Sequence, residues 1–507
     1  MKYTAIILML VSVIARIFGF IREMLMSNYY GTSSVAEVVV IAMAVPTVLF
    51  AFLFNSLNTS FIPSYNAVRN EKGEEEAEKF TSNIANVVMI MSIFLCILGI
   101  IFAKPLVFAM ASGFTGEKQI MAIKFVRIVL IGSAFNSIAA IFSGYLNVHD
   151  SYVFPSARLA VQNIILIIFT VLSVYTNSTM LAVGILVATI CQNVVLVIAL
   201  KKKGYRHRFV LDFKDPNIKY ILILAIPLML GVAVDQINVF VDKTLASQAV
   251  NGGVAILNYA DRINALVYIV LTSVVTVAYP VISMNAIEGN LDNLKKTMFK
   301  YAQINYLFCI PVIFAFSVFA EPIVTVIYQR GAFSHHDTIA VSQCLMMYSL
   351  TIFGAAMREI VSRTFYALGD SKTPVKNGMA MVALNAILSV IFASRIGLKG
   401  IALGTSTASI VGCIILLYQL RRKIGRLNMK SFLKSFMKLF LISSIMIVLS
   451  RLLYNFLEPN IHVVKSLFIS AGFGVILYFV MIVAFDICDS KELVGGIIEK
   501  KLKKNKN

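Results

Sequence analysis

Long apolar runs recur along the whole chain and are separated by short polar loops. A run of about twenty apolar residues is long enough to cross the hydrocarbon core of a bilayer as one α-helix. The pattern therefore predicts an all-α integral membrane protein with fourteen transmembrane helices. The predicted spans lie near residues 4–27, 36–61, 82–103, 119–146, 156–175, 180–200, 218–247, 253–284, 296–318, 337–366, 376–395, 398–419, 431–454 and 464–486.

Basic residues concentrate in alternate loops between these spans. The loop after the sixth span contains Lys201, Lys202 and Lys203, whereas the opposite loops 28–35 and 176–179 contain no Lys or Arg. Cytoplasmic loops are the basic ones in membrane proteins, so both termini are expected in the cytoplasm. The same distribution accounts for the net charge of +20 without a nucleic-acid partner.

The composition agrees with a membrane protein. Hydrophobic residues make up 59% of the chain and charged residues 14%, against about 45–50% and about 25% in soluble domains. The six cysteines are scattered singly and predict neither a disulfide framework nor a metal site. The first apolar run contains Arg16 and lacks a small-residue cleavage site, so we expect a retained helix rather than a signal peptide.

An internal repeat appears when the chain is shifted by about 217–220 residues against itself. The predicted turn with Pro63 aligns with Pro280, the AKP motif with Pro105 aligns with the AEP motif with Pro322, and Asp150 of HDS aligns with the aspartate of GDS in the second half. Each repeat holds six spans, an even number, so both lobes enter the membrane in the same orientation. Parallel lobes related by an axis along the membrane normal are a transporter architecture with a central cavity.

The repeat also predicts the domain boundaries. We expect an N-lobe over residues 1–205, a C-lobe over 206–425, an extra helix pair over 426–488 and a basic cytoplasmic tail over 489–507.

The first span carries charges inside an apolar helix. A charge near mid-bilayer costs about 2.5–3.5 kcal/mol, so such residues usually face a bundle interior or a wet cavity. Arg16, Gly19 and Glu23 share one helical face, which predicts that Arg16 looks into a cavity with Glu23 as a candidate partner. Arg22 points elsewhere and either reaches the cavity or extends to the membrane interface.

Further cations in the N-lobe spans are Lys124, Arg127 and Arg158, and the other lobe adds Arg262. Guanidinium groups around an intramembrane cavity suit an anionic, phosphate-bearing substrate. The alternative is that these side chains lie at interfaces or form ion pairs within the bundle.

The second half carries an oxygen-rich set comprising Asp242, Asn385, Ser389 and Thr405. Asn385 and Ser389 are one turn apart on a single helix face. With a free backbone carbonyl, these groups could hold a hard cation such as Na⁺. Alternatively, they only join helices by hydrogen bonds.

No GxSxG, Walker A or HExxH pattern is present, so neither an ATPase nor a membrane hydrolase is expected. We predict a transporter and not an enzyme. Its energy would come from an ion gradient or the membrane potential, which is worth about 2.3 kcal/mol per charge per 100 mV.

Five stretches together resemble the MurJ (MviN) family of lipid II flippases, within the multidrug/oligosaccharidyl-lipid/polysaccharide exporter superfamily. They are ARIFGFIREMLMSNYYG (15–31), VPTVLFAFLFNSLNTSFIPSYN (45–66), NYADRINAL (258–266), YQRGAF (328–333) and FYALGDSKTPVKN (365–377). The resemblance follows the first twelve helices in order and includes the extra pair. It implies a bacterial inner-membrane protein that carries lipid II from the cytoplasmic to the outer face by alternating access.

The resemblance also implies roles for particular residues. Arg16 and Arg22 match the helix-1 arginines and Arg262 matches the ADR arginine, and all three would hold the diphosphate. Glu37 stands where the family usually has Asp. The family's sodium site falls on Asp242, Asn385, Ser389, Ile401 through its carbonyl, and Thr405. Ser389 replaces a carboxylate seen in some members, so the set holds one negative charge fewer.

One segment departs from the family pattern. Many members have PNLLRR after the helix-2 proline, whereas this chain reads PTVLFA over 46–51. A third cavity arginine is therefore absent. Either Lys124 or Arg127 compensates, or the substrate is held with fewer contacts.

The most specific function predicted from the sequence is therefore a lipid II flippase that requires no cofactor except, in one interpretation, Na⁺. The alternatives are a flippase for another polyprenyl-diphosphate glycan, a multidrug exporter of the same superfamily, and a non-transporting scaffold for cell-wall enzymes. Expected partners are the membrane, lipid II and, in addition, proteins of cell-wall synthesis.

Overall fold

The computed structural model describes residues 2–217, 236–427, 429–485 and 487, apart from the side chains of 2–6, 8, 9, 52–56, 58 and 59. Within these residues, sixteen helices, α1 to α16, are numbered here in chain order. They are Lys2–Tyr30, Ser34–Lys72, Glu74–Ile101, Ala103–Met110, Gly116–Val148, Val153–Tyr175, Thr179–Lys202, 236–249, Gly253–Ile287, Leu291–Val318, Ala320–Tyr328, His335–Ala367, Lys372–Ile396, Leu398–Ile424, Met429–Leu457 and Val463–Ala484.

The all-α membrane fold is confirmed. Twelve helices within the described residues are long and apolar enough to cross a membrane. The other two predicted spans correspond to α1 and to the segment 218–247, of which residues 218–235 lie outside the described part. The total of fourteen spans therefore stays a prediction.

The order of helices repeats along the chain. A short helix interrupts each half at the same place, α4 at Ala103–Met110 and α11 at Ala320–Tyr328. Pro105 and Pro322 lie in the first turns of these helices, where a missing backbone N–H breaks no intrahelical bond. The two proline motifs that suggested the repeat thus start equivalent elements.

The prediction of a turn around Pro63 is wrong. Pro63 lies inside α2, which continues to Lys72, and Pro280 lies inside α9. A proline removes only one N–H donor from a helix, and the packing of the following turn outweighs that loss. Phe61 and Tyr65, on either side of Pro63, are completely buried in one aromatic cluster.

The chain divides into two compact units. The first comprises Met1–Ala255 with Arg330–Ser334, and the second comprises Ile256–Gln329 with His335–Asn507. The first unit extends beyond the predicted N-lobe boundary at 205, because the described part of α8 belongs to it.

In the first unit α5 lies at the centre and packs against α2, α3 and α7. Small residues allow this close packing. A Cβ at Gly144 would lie 2.5 Å from the ring of Phe61, and one at Gly132 would lie 2.9 Å from Leu186. In a membrane, where apolar burial adds little, such close contacts are a main source of helix association.

The second unit contains the extra helix pair. α15 packs on α10, α16 packs on α15, and Tyr478 donates a hydrogen bond to the Leu307 carbonyl oxygen at 2.7 Å. Within the same unit, α13 and α14 approach closely at Gly400 and Gly404. A Cβ at Gly404 would lie 2.6 Å from the Ser389 hydroxyl.

Candidate functional site

The two arginines of α1 have different surroundings. Arg22 donates a hydrogen bond from Nη1 to Asn163 Oδ1 at 3.2 Å and forms an ion pair with Glu23. Its side chain is only 16% exposed. The expected pairing of Glu23 with Arg16 is therefore replaced by a pair with Arg22. Asn163 on α6 and Glu23 hold Arg22 within the first unit, and both interpretations made from the sequence stay predictions.

Arg16 is exposed in the first unit, and no hydrogen bond or ion pair joins it to another described residue. Its neighbour Ala15 is buried, and the Ala15 carbonyl oxygen accepts a hydrogen bond from Asn163 at 3.1 Å. Arg16 therefore does not lie on the face of α1 that packs on α6. Arg16 is not among the lining residues of the cavity described below, so its placement in a cavity stays a prediction.

Glu37 is completely buried near the start of α2. Its carboxylate forms an ion pair with Lys118 of α5 and accepts a hydrogen bond from the Val254 backbone N–H at 3.0 Å. Lys118 also lies over the Phe114 ring, 4.1 Å from its centroid. These contacts join α2, α5 and the first turn of α9. In this structure Glu37 therefore joins these helices, and its assignment to substrate binding stays a prediction.

Lys124 and Arg127 are exposed on α5 and contact helix ends. Lys124 donates to the Thr179 hydroxyl at 3.2 Å, and Arg127 donates to the Ile100 carbonyl oxygen at 3.3 Å. Arg127 thus lies at the carboxyl end of α3, where the exposed carbonyls favour a cation, whereas Lys124 contacts the first residue of α7. Neither residue lines the cavity described next, so the structure supports the alternative interpretation of interface contacts.

A cavity of about 290 Å³ lies inside the first unit, bounded by α2, α5, α6, α7 and α8. Its lining includes Thr47, Ser133, Asn136, Arg158, Gln162 and Gln192. The segment Pro46–Ala51, which lacks the arginine expected from the family pattern, forms one wall. Arg158 is the charged residue of the described lining and supplies the positive charge there.

Gln192 was not predicted. Its side-chain nitrogen donates to Asn136 Oδ1 at 2.9 Å, whereas its Oε1 has no hydrogen-bond partner among the described residues. Gln192 is only 2% exposed. Arg158 and Gln162, one turn apart on α6, were the available sequence signal for this cavity, because their spacing places two polar side chains on one face of an apolar helix.

Four members of the predicted cation set come together in the second unit. The Ser389 hydroxyl lies 3.0 Å from Asn385 Oδ1 and 3.4 Å from the Ile401 carbonyl oxygen, and the Thr405 hydroxyl donates to that carbonyl at 3.2 Å. Asn385 and Ser389 are buried. Asp242 belongs to the first unit and Arg262 is exposed on α9 in the second.

This group fits both interpretations made from the sequence. Its oxygens are hard donors of the kind that Na⁺ accepts. Their present hydrogen bonds also join α13 to α14 directly, and no group of three or more His, Cys, Asp or Glu residues suited to a metal occurs in the described part. A cation at these four residues would be held by neutral oxygens alone.

The segment with the YQRGAF motif also contributes to the first unit. The Ala332 backbone N–H donates to the Asn28 carbonyl oxygen at 2.8 Å. Gly31 and Gly331 both have positive φ, and a Cβ on Gly331 would lie 2.3 Å from the Asn28 carbonyl oxygen. Only glycine permits this backbone contact, which lies at the end of α1 opposite the predicted basic loops.

A family model described as lipid II flippase MurJ matches residues 26–472. The chain belongs to the MurJ family. The resemblance found in the five sequence stretches is thereby confirmed.

Relatives of the MurJ family match most of the chain. A probable lipid II flippase MurJ of Rickettsia prowazekii (strain Madrid E) is 28% identical over 464 residues, which cover 89% of this chain and 90% of that protein. The lipid II flippase MurJ of Thermosipho africanus (strain TCF52B) is 28% identical, with 88% and 89% covered.

Solved structures agree with this assignment. A lipid II flippase MurJ in an inward closed conformation has a TM-score of 0.83 and 26% identity, and the match covers 96% of this chain and all of that one. An inward-facing multidrug resistance MATE transporter has a TM-score of 0.69 at 16% identity, over 84% of this chain and 99% of that one. At that identity the second match shows a shared fold alone.

Proposed function

We propose that this protein carries lipid II from the inner to the outer leaflet of the bacterial inner membrane by alternating access. The match of the MurJ family model over 26–472 is the observation that carries the proposal. The head group would pass through protein while the polyprenyl tail stays in lipid. Both termini would lie in the cytoplasm, as the distribution of basic loops indicates.

Arg16 is the first candidate for the diphosphate. It is exposed and has no partner among the described residues, so its guanidinium can form two charge-assisted hydrogen bonds with one phosphoryl group. Arg262 would contribute from the second unit. Arg22 would act mainly by positioning α1, because its present contacts are with Glu23 and Asn163.

Energy would come from the membrane potential or an ion gradient. The oxygens of Asn385, Ser389, Ile401 and Thr405 would bind Na⁺ if sodium is the coupling ion, with Asp242 as the expected fifth member. Binding would exchange their mutual hydrogen bonds for contacts to the cation. Cell-wall synthesis proteins would meet the chain at its basic cytoplasmic loops.

The proposal is tested by depleting the protein and restoring it with variants. Lipid II at the outer face is measured by its cleavage with an enzyme added to spheroplasts. We expect Arg16→Ala to lose more than tenfold of outer-face lipid II relative to wild type, and Arg16→Lys to recover part of it. Lys124→Ala is the matched control and should behave like wild type.

Two results would contradict the proposal. Unchanged outer-face lipid II after depletion, with accumulation of a different lipid-linked sugar, would assign another glycan as substrate. Full activity of Arg16→Ala together with Arg262→Ala would favour a non-transporting scaffold.

A further inference from the structure

The linker after α7, residues 203–215, presents large apolar side chains away from the protein. Phe209 is 97% exposed, Leu211 is 51% exposed and Phe213 is 54% exposed. These residues occupy every second position, and alternate side chains of an extended chain point to the same side. An apolar patch of this kind marks a surface that meets a membrane or another protein.

The backbone of the linker is fixed to α3 by two asparagine side chains. Asn83 donates to the Asp212 carbonyl oxygen at 3.1 Å and accepts from the Asp212 backbone N–H at 2.8 Å. Asn86 donates to the carbonyl oxygens of Arg208 and Val210 at 3.0 and 2.9 Å. The backbone of every second residue thus faces α3. The exposure of the apolar side chains is therefore built into the fold of the first unit.

These contacts place the linker at the level where α3 becomes apolar. α3 begins with three glutamates, Glu74–Glu76, and Ser82, at the start of its apolar part, lies 2.9 Å from the hydroxyl of the buried Tyr205. α7 ends at Lys202, directly before the linker. Both helices are long and apolar enough to cross a membrane. The linker therefore lies at the boundary between lipid and water, where aromatic side chains are enriched in membrane proteins.

Positive charge accompanies the apolar patch. Residues 201–214 contain six Lys or Arg and one acidic residue, Asp212. Arg208 is paired with Glu75 at 2.8 Å, so this pair adds no net charge. Three further cations are exposed, and their side chains form no hydrogen bond or ion pair within the described chain: Lys201, Lys203 and Arg206. Basic residues beside a membrane span attract anionic lipid head groups.

We infer that the linker after α7 is an interfacial anchor that binds the anionic lipid of the cytoplasmic leaflet. Phe209, Leu211 and Phe213 enter the boundary between head groups and acyl chains, and the free cations contact lipid phosphates. A protein ligand fits less well, because the patch lies at the level where α3 and α7 leave the lipid. The assignment to the cytoplasmic side rests on the orientation in the proposed function, whereas the binding itself does not.

A single fluorescent reporter tests this inference. The chain contains no tryptophan, so Phe209→Trp introduces one at a position that is almost fully exposed. The full-length variant is placed in nanodiscs of phosphatidylcholine with and without phosphatidylglycerol. We expect acrylamide, a quencher in the water, to quench the reporter about threefold less when phosphatidylglycerol is present. Lipids brominated on their acyl chains should quench it more strongly in the same nanodiscs.

Glu71→Trp is the matched control for position. Glu71 is exposed near the end of α2, in the charged part of the first unit beyond Pro63. The reporter there should be quenched by acrylamide equally in both lipids. If Phe209→Trp behaves in the same way, the inference is overturned and the apolar patch is left to a protein ligand. Equal shielding of Phe209→Trp in both lipids would also overturn it, because the anchor would not bind anionic lipid.

A charge change separates the basic residues of the linker from net charge. Lys203→Gln with Arg206→Gln, in the Phe209→Trp background, should remove the difference between the two lipids. Lys296→Gln with Lys300→Gln makes the same change at exposed positions of α10 and should preserve the difference. Equal loss in both pairs would overturn the role of the linker cations. These measurements use no lipid II, so their failure leaves the proposed function standing.

Discussion

The Arg22 guanidinium and the Asn163 amide form a contact that positions α1 against α6. Arg22 Nη1 donates to Asn163 Oδ1, and Asn163 Nδ2 donates in turn to the Ala15 carbonyl oxygen. One side chain therefore holds α1 at two points separated by almost two turns. Arg16 lies between these points and remains exposed. The direction of Arg16 thus depends on a residue of another helix.

Replacing Asn163 by Ala should lower stability and disturb Arg16. A mostly buried guanidinium loses an acceptor, which costs about 1–3 kcal/mol for an unsatisfied group of this kind. Thermal unfolding in detergent measures the loss. Asn193→Ala, which removes a hydrogen bond within one helix, should cost less. Equal destabilisation by the two changes would contradict the positioning role.

Removing the Glu37 carboxylate should be among the most destabilising changes. Glu37→Ala leaves Lys118 as a mostly buried cation without its carboxylate, and breaking a buried pair typically costs about 3–5 kcal/mol. Glu37→Leu with Lys118→Met removes both charges and should recover more than half of the loss. Thermal unfolding of the three proteins gives the comparison. If the double variant is as unstable as Glu37→Ala, the ion pair is not the cause.

The contact between Gly331 and Asn28 should control closure at that end of the molecule. Gly331→Ala puts a Cβ within 2.3 Å of the Asn28 carbonyl oxygen, so the contact must open. An impermeant maleimide should then label Thr32→Cys several times faster. Gly289→Ala is the control, because Gly289 has φ +69 but a Cβ there meets nothing within 4 Å. If Thr32→Cys is labelled equally fast with Gly331→Ala and with Gly289→Ala, then strain of the backbone, and not opening of this contact, is the cause.

The linker after α7 should loosen at acidic pH. His207 Nε2 lies 2.9 Å from Asn86 Oδ1, and Nδ1 lies 3.2 Å from the Tyr205 hydroxyl, an arrangement that suits the neutral ring. Partial desolvation of the His207 imidazole, on a residue that is exposed as a whole, lowers its pKa. The unfolded linker then binds more protons, so the stabilisation is present above the ordinary histidine pKa of about 6.5 and decreases as pH falls below it.

Hydrogen exchange of residues 205–212 measures this effect. Protection should be constant from about pH 7 to 8, where the unfolded imidazole is also mostly neutral, and should fall below that window. His207→Gln keeps polar contacts without a titrating ring and should abolish the pH dependence. A wild-type profile that stays flat to about pH 5 would exclude His207 as the titrating group.

Sodium should stabilise wild type if Asn385, Ser389 and Thr405 bind it. A ligand at 100 times its Kd adds about 2.7 kcal/mol, which raises the unfolding temperature in NaCl above that in choline chloride. Asn385→Ala should remove this difference. Ser394→Ala is the control, because Ser394 bonds its own helix on an exposed face. Equal unfolding temperatures of wild type in both salts would leave only the helix-joining role.

The hydrophobic pattern by itself determined the membrane class, the all-α fold and the repeated order of helices. These follow from local physics, because a lipid-exposed helix must be apolar over a full bilayer thickness and must satisfy its own backbone hydrogen bonds. The motifs at 15–31, 258–266 and 365–377 also determined the family. The helix around Pro63 was missed, because the packing of Phe61 and Tyr65 outweighs a local proline signal.

The partners of the charged residues were decided only by tertiary structure. Helical periodicity places a side chain on a face, but it does not specify which neighbouring helix covers that face. The partners of Arg22, Glu37 and Lys118 lie between 1 and 217 positions away in the chain. The cavity beside Arg158 and the unpaired Gln192 oxygen likewise arise from five helices together, and a long-range arrangement of that kind has no local sequence signature.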